Sequence, residues 1–343
     1  MQHRMFGAGP LLNSRGELSE TGYALSLIKE YEREKIRAPK TRIKEWDYYL
    51  ISSERCALAV TVADLGYAGL DSISLIDFTQ PFEQTASRLS FMPLGKRALP
   101  TTSSKGTVRA LGKNYEITFR TEHDRRHLYG HMYDFKADKP LLFDLVLFSP
   151  KEDSMVIATP FLEKSTAFYY NQKINCMPAD GRVIYGEDEY LFAPSAAFGV
   201  LDWGRGVWTY KNTWYWLSAS GVVNGGRFGM NLGYGFGDTG AATENMLFYN
   251  GVASKLENVQ FHITMKNGQE DFLSPWTITD DRGRLRLQFM PIIDRAADVN
   301  AWIIRSNQHQ VFGRFSGTAV LDSGETLNIR DLIGFAEKVY NKW

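Results

Sequence analysis

From Lys44 onward the chain alternates apolar and polar residues with a period of two. That period puts successive side chains on opposite faces and is the signature of half-buried strands. The segments "KEWDYYLIS", "CALAVTVADLGY" and "DSISLIDF" open the series. "GTVRALGKNYEITFRTE" then reads as a hairpin turning near Gly112. Gly, Pro, Asp and Asn punctuate the apolar runs down to "ETLNIRDL", with DDRG and DSG as further hairpin turns. The pattern predicts roughly sixteen to twenty short strands, spaced as in sandwiches and barrels. No strand–helix–strand alternation appears, so a parallel doubly wound sheet is not expected.

Three segments interrupt the pattern. Residues 21–36 suit either a capped helix or an extended arm. Residues 82–105 are rich in Pro, Ser and Thr and read as a loop. "RDLIGFAEKVYNKW" reads as a short C-terminal helix with Asp331 near its cap. The predicted fold is all-β: an arm over 1–43, a first antiparallel barrel or sandwich over 44–190, and a second over 191–343 ending in that helix. A chain of 343 residues is long for a single core and sufficient for two.

Charge narrows the function classes. Lys plus Arg is 39 and Asp plus Glu is 39, giving zero net charge. The basic residues are scattered, whereas nucleic acid and anionic membrane surfaces select a positive face. No run approaches the ~18 apolar residues of a membrane-spanning helix. Two cysteines, Cys56 and Cys176, are too few for a disulfide framework. The opening "MQHRMFGAGP" has no apolar signal region. Cytoplasmic residence is expected.

The densest chemistry lies in "DWGRGVWTYKNTWYWLSASG". Trp203, Trp208, Trp214 and Trp216 are four of the chain's eight tryptophans. Trp214 and Trp216 share one strand face. Each indole N–H needs a partner when buried, so this density exceeds what a core requires. Asp202 and Arg205 bracket Trp203 and form a candidate ion pair. Two readings follow: a barrel core in which the pair satisfies itself, or an aromatic cavity holding an acid and a cation. Tyr210, Glu244, Asn245, Tyr48 and Tyr67 join the candidate ligand-binding residues. Tyr48 and Tyr67 flank the acids Asp47 and Asp64, and acids in aromatic surroundings are candidate proton donors.

Other motifs carry less. "NGGRFGMNLGYGFGD" lacks the strand–loop–helix setting of a phosphate loop. His127 and His131 share a strand face but have no indicated third ligand, so no metal is expected. No cofactor motif is present.

The strings "KEWDYY", "ADLGYAG", "QKINCMPADG", "LDWGRGVW", "NLGYGFGD", "TENMLFYNG", "HQVFGRFSG" and "GFAEKV" together resemble the domain-of-unknown-function family numbered 2804. The resemblance spans nearly the whole chain and brings no catalytic residues with it. That group is in turn similar to two-barrel lipocalin-like (calycin-like) proteins, which include hydratases, cyclases and a lipid carrier. The resemblance implies two lipocalin-like domains and a hydrophobic, lipid- or isoprenoid-like small molecule. It leaves open a carrier or a cofactor-independent hydratase, isomerase or cyclase. Asp202 and Arg205 are the catalytic candidates by residue chemistry. A carbohydrate-binding or -modifying protein is the remaining alternative, because Trp faces also stack on sugars.

Overall fold

The computed structural model describes residues 2–301 and 304–342. Met1 of the expected arm, and Trp302, Ile303 and Trp343 of the expected second domain, lie outside the described residues.

The alternating segments form two antiparallel sheets, each curled into a half-barrel. The first uses β1 (Lys44–Ser52), β2 (Cys56–Asp64), β3 (Ala68–Asp77), β4 (Phe82–Phe91), β5 (Gly106–Gly112), β6 (Tyr115–Glu122), β7 (Arg125–Lys136) and β8 (Lys139–Phe148). It continues through β9 (Met155–Phe161), β10 (Lys164–Tyr185), β11 (Asp188–Phe192) and β12 (Phe198–Val207). Its main path runs β4-β3-β2-β1-β12-β10-β8-β7-β6-β5. The second sheet uses β13 (Lys211–Val223), β14 (Gly226–Tyr234), β15 (Met246–Tyr249), β16 (Val252–Lys255), β17 (Val259–His262), β18 (Trp276–Asp280), β19 (Leu285–Ala301), β20 (Ile304–Val320) and β21 (Thr326–Lys342). Its order is β16-β15-β14-β13-β21-β20-β19-β18-β17.

Two expectations need correction, and one left open is decided. The C-terminal segment is strand β21, paired with β20 and β13, and no helix forms there. Asp331, expected near a helix cap, has φ 50° where the β20–β21 register shifts. Much of the 82–105 segment is strand β4, held by ten register pairs to β3. The stretch 21–36 is an extended arm, with Gly22–Ala24 pairing β9 and only a short 3-10 turn at Arg33–Lys35. The chain passes from the first sheet to the second between Val207 and Lys211. Among the described residues, no helix is long and apolar enough to cross a membrane.

Alternation sorts the side chains into separate cores. On β1, Tyr49 and Ile51 join the interior of the first half-barrel, whereas Tyr48 and Leu50 face the other way. On β13, Leu217 and Ala219 enter the second interior, whereas Trp216 faces the first sheet. Two further apolar clusters therefore lie between the sheets. One clasp joins them through β10, which shifts register between Ile174 and Met177. There Cys176 takes a left-handed φ of 60°, and its backbone N–H donates to Ser220 Oγ at 3.1 Å. Gly229 makes room for the thiol: a Cβ would stand 2.4 Å from Cys176 Sγ.

Candidate functional site

Strand β12 decides which members of the aromatic segment meet a cavity. Its residues point alternately to the first barrel core and to the gap between the sheets. Trp203 is fully buried in that core, edge-on to Tyr31 and Tyr170 at 6.2 and 5.7 Å between ring centres. Arg205 shares this face, is 0% exposed, and lies with its guanidinium carbon 4.2 Å from the Trp203 ring centre. It donates to Asp47 Oδ1 at 2.9 Å and to the carbonyls of Trp46, Gly204 and Pro100. Burial pushes the Asp47 carboxyl upward, and Arg205 opposes that rise. Trp203 and Arg205 therefore lie outside the cavity lining, and Arg205 pairs with Asp47 rather than with Asp202.

Asp202 points the opposite way, into a cavity of about 530 Å³ between the sheets. This is within the range of small-molecule sites. Register places Lys173 of β10 and Tyr48 of β1 directly beside it. Lys173 Nζ stands 3.0 Å from Asp202 Oδ1, and Asn171 Nδ2 donates to the same oxygen at 2.6 Å. Lys173 also lies 3.8 Å from Glu244 Oε2 and 4.0 Å from the centre of the Trp216 ring. Burial raises the Glu244 pKa; Lys173 opposes the rise and Asp202 adds to it. Gly233 leaves the space for this carboxylate, since a Cβ there would stand 2.5 Å from Glu244 Oε1.

Glu337, on β21, is the second acidic centre. Trp214 Nε1 donates to its Oε1 at 3.0 Å and Gln310 Nε2 to its Oε2 at 2.9 Å. No ion pair reaches it among the described residues. Burial, only partly offset by these hydrogen bonds, lifts its pKa from 4.5 to about 7.

The apolar wall is built around Phe236, with Tyr169 at 4.8 Å and Trp208 and Trp214 both at 5.3 Å. Trp46 stacks on Tyr169 and meets Trp208 edge-on. It occupies the space left by Gly204, where a Cβ would stand 2.0 Å from the indole. Trp216 Nε1 is satisfied by Asn231 Oδ1 at 2.7 Å. Tyr48 Oη, Trp208 Nε1 and Gln310 Oε1 are buried without a hydrogen-bond partner among the described residues. Such groups are costly in a core and ordinary in a site that receives a polar ligand atom.

Of the residues singled out from sequence, Asp202, Trp208, Trp214, Trp216, Tyr48 and Glu244 meet here. The others do not. Tyr210 is 40% exposed outside the cavity. Tyr67 lies against the Lys44 ammonium at 4.3 Å, and burial pushes its phenol up to about 12. Asn245 is fully buried, donating to Glu257 O and accepting from Gly233 N, both at 2.7 Å. Asp64 holds the Gly66 and Gly95 backbone. His127 pairs with Asp144, and no group of three ligands suited to a metal occurs among the described residues. Sequence reasoning missed Lys173, Glu337, Gln310, Arg295, Trp46, Tyr169 and Phe236. Trp46 was within reach, being two residues from Tyr48 on the same strand face.

The fold and the cavity define a class: paired lipocalin-like half-barrels with a ligand-sized, aromatic and acidic space between their backs. The chain belongs to the domain of unknown function family DUF2804, whose model matches residues 2–343. No curated protein matches it. Two solved structures share the fold. Kievitone hydratase from Nectria haematococca has TM-score 0.54 and 10% identity over 92% of this chain and 94% of that one. A putative AttH from Nitrosomonas europaea has TM-score 0.56 and 13% identity, covering 92% and 98%.

Proposed function

We propose that this protein binds an apolar, unsaturated small molecule between its sheets and carries out cofactor-independent acid–base chemistry on it. Hydration, isomerisation or cyclisation of an alkene fits the residues present. The observation that carries this reading is a carboxyl poised near neutrality, Glu337, beside the indole of Trp214. A general acid works best with a pKa near the working pH. Kievitone hydratase, similar in fold, is a hydratase by name.

In this scheme the protonated Glu337 gives its proton to one alkene carbon. The cation left on the neighbouring carbon lies over indole and phenol faces, which attract positive charge. The Trp216 face already holds the Lys173 ammonium in this way. Water then adds to the cation and loses a proton to Asp202, completing hydration. Loss of an adjacent C–H proton instead gives isomerisation, and attack by a second alkene gives a ring. Return of the proton to Glu337 through water resets the site. Asp202 thus keeps a catalytic role, whereas Arg205 holds the first barrel.

The test is incubation with an apolar cell extract in deuterium oxide, followed by mass spectrometry. The native protein should retain an apolar compound and place deuterium on one of its carbons. The Glu337→Gln variant should retain that compound and lose turnover by about 100-fold or more. Retention without carbon-bound deuterium would make the protein a carrier and end the catalytic reading. Retention of a sugar, or of nothing, would end the binding reading.

A further inference from the structure

One guanidinium of the cavity lining is held by a hydroxyl and not by a carboxylate. It belongs to Arg295 of β19, half-buried, whose side chain donates to Ser74 Oγ at 2.7 Å. It forms no ion pair with a carboxylate among the described residues. Four other buried or half-buried guanidinium groups pair with carboxylates, whereas Arg126 is held by Tyr49, Thr121 and the Ser103 carbonyl. Arg205 pairs with Asp47, Arg97 with Asp71, Arg33 with Glu45 and Arg227 with Glu152. A guanidinium cannot shed its proton, and one that faces a cavity with no carboxylate clasping it presents N–H donors to an incoming anion.

The nearby acids are already engaged. Asp202 and Glu244 share Lys173. Glu83 is reached only through two hydroxyls, because Ser74 meets Thr85 at 2.6 Å and Thr85 donates to Glu83. Asp294, adjacent in sequence, pairs with His309 at 2.7 Å. Glu337 is hydrogen-bonded by Trp214 and Gln310 and meets the Arg295 charge only through space, without an ion pair among the described residues. The Tyr48 hydroxyl, buried without a partner, is a second donor in the same lining, and Arg295 is the charge acting on it most strongly. A guanidinium and a phenol O–H presented together suit one acceptor group with two oxygens.

We infer that Arg295, assisted by Tyr48, receives a carboxylate of the ligand, so that the occupant of the cavity is an apolar acid rather than a neutral lipid. This rests on the cavity-binding reading above and narrows its chemistry. With its carboxylate on Arg295, the ligand's apolar remainder extends along Trp214 and Trp216 towards Phe236.

Retinoic acid and retinol provide a matched pair of probes, an acid and an alcohol on the same apolar frame. Binding is read by quenching of tryptophan emission in the native protein and in Arg295→Gln and Arg295→Lys, with circular dichroism confirming the fold. The native protein should bind retinoic acid about tenfold or more tightly than retinol, as expected for a charge-assisted contact. Arg295→Gln should erase that preference by weakening retinoic acid more than retinol, and Arg295→Lys should keep part of it. Equal binding of acid and alcohol by the native protein, or a preference that survives in Arg295→Gln, would overturn the inference and leave the cavity reading intact. Failure of both probes to bind would overturn both.

Discussion

Glu337 is buried in the cavity lining between two neutral donors, and that arrangement has a measurable cost. Its pKa is about 7 in the folded chain, against an ordinary 4.5. Below about 4.5 both folded and unfolded chains carry the proton, and the residue costs nothing. Between about 4.5 and 7 the unfolded chain releases the proton first, so stability falls as pH rises; above 7 the loss is constant. The shift corresponds to a loss on the order of 3 kcal/mol. Urea unfolding at pH 5 and pH 8 should therefore show Glu337→Gln gaining stability relative to the native protein at the higher pH. A relative stability independent of pH would show that the carboxyl titrates in its ordinary range. In the acid–base scheme proposed above the same proton would be the one transferred, so turnover should decline as pH passes about 7.

At the scale of the strand, one rule explains both what was legible and what was not. Alternation identified the strands of the first half, and it identifies Trp214 and Trp216 as neighbours on one face. The same rule separates Asp202 from Trp203 and Arg205, whereas grouping all three by proximity in sequence mixed the two faces of β12. Strand β21 was misread because Leu332, Ile333, Phe335 and Ala336 are buried towards both sides, which removes the alternation. With that strand read as a helix, Glu337 had no place in a site. Lys173 and Gln310 owe their positions to pairing with distant strands, which no local pattern contains. Gly204 provides the test at this scale. Its Cβ position lies inside the Trp46 indole, so Gly204→Ala must displace that ring from Tyr169 and Trp208. Overpacking of this kind costs about 1–3 kcal/mol. Thermal unfolding should show that loss, together with a changed tryptophan emission spectrum. An unchanged spectrum and melting temperature would mean that the wall is looser than described.

For the whole molecule, the sheets are joined back to back, and each needs the other to cover its outer face. Tyr48, Leu50, Ile76 and Phe78 of the first sheet are buried with Trp216, Phe312, Ile333 and Phe335 of the second. A chain ending at Val207 keeps every labelled strand of the first sheet but uncovers that face. It should associate or precipitate, as exposed apolar faces of this kind do, and size-exclusion chromatography would show it. A monodisperse, folded fragment would mean that the first half-barrel stands alone.

The placement of the cavity on the backs of the barrels has a consequence for how such a protein can diversify. Asp202 lies between Leu201 and Trp203, and Trp216 between Tyr215 and Leu217; in each case the flanking residues belong to, or pack on, a barrel interior. The positions that line the cavity and the positions that hold the barrels are thus interleaved one by one along the same strands. Substitutions in one set leave the apolar contacts of the other in place, so the cavity lining can vary while the two barrel interiors persist.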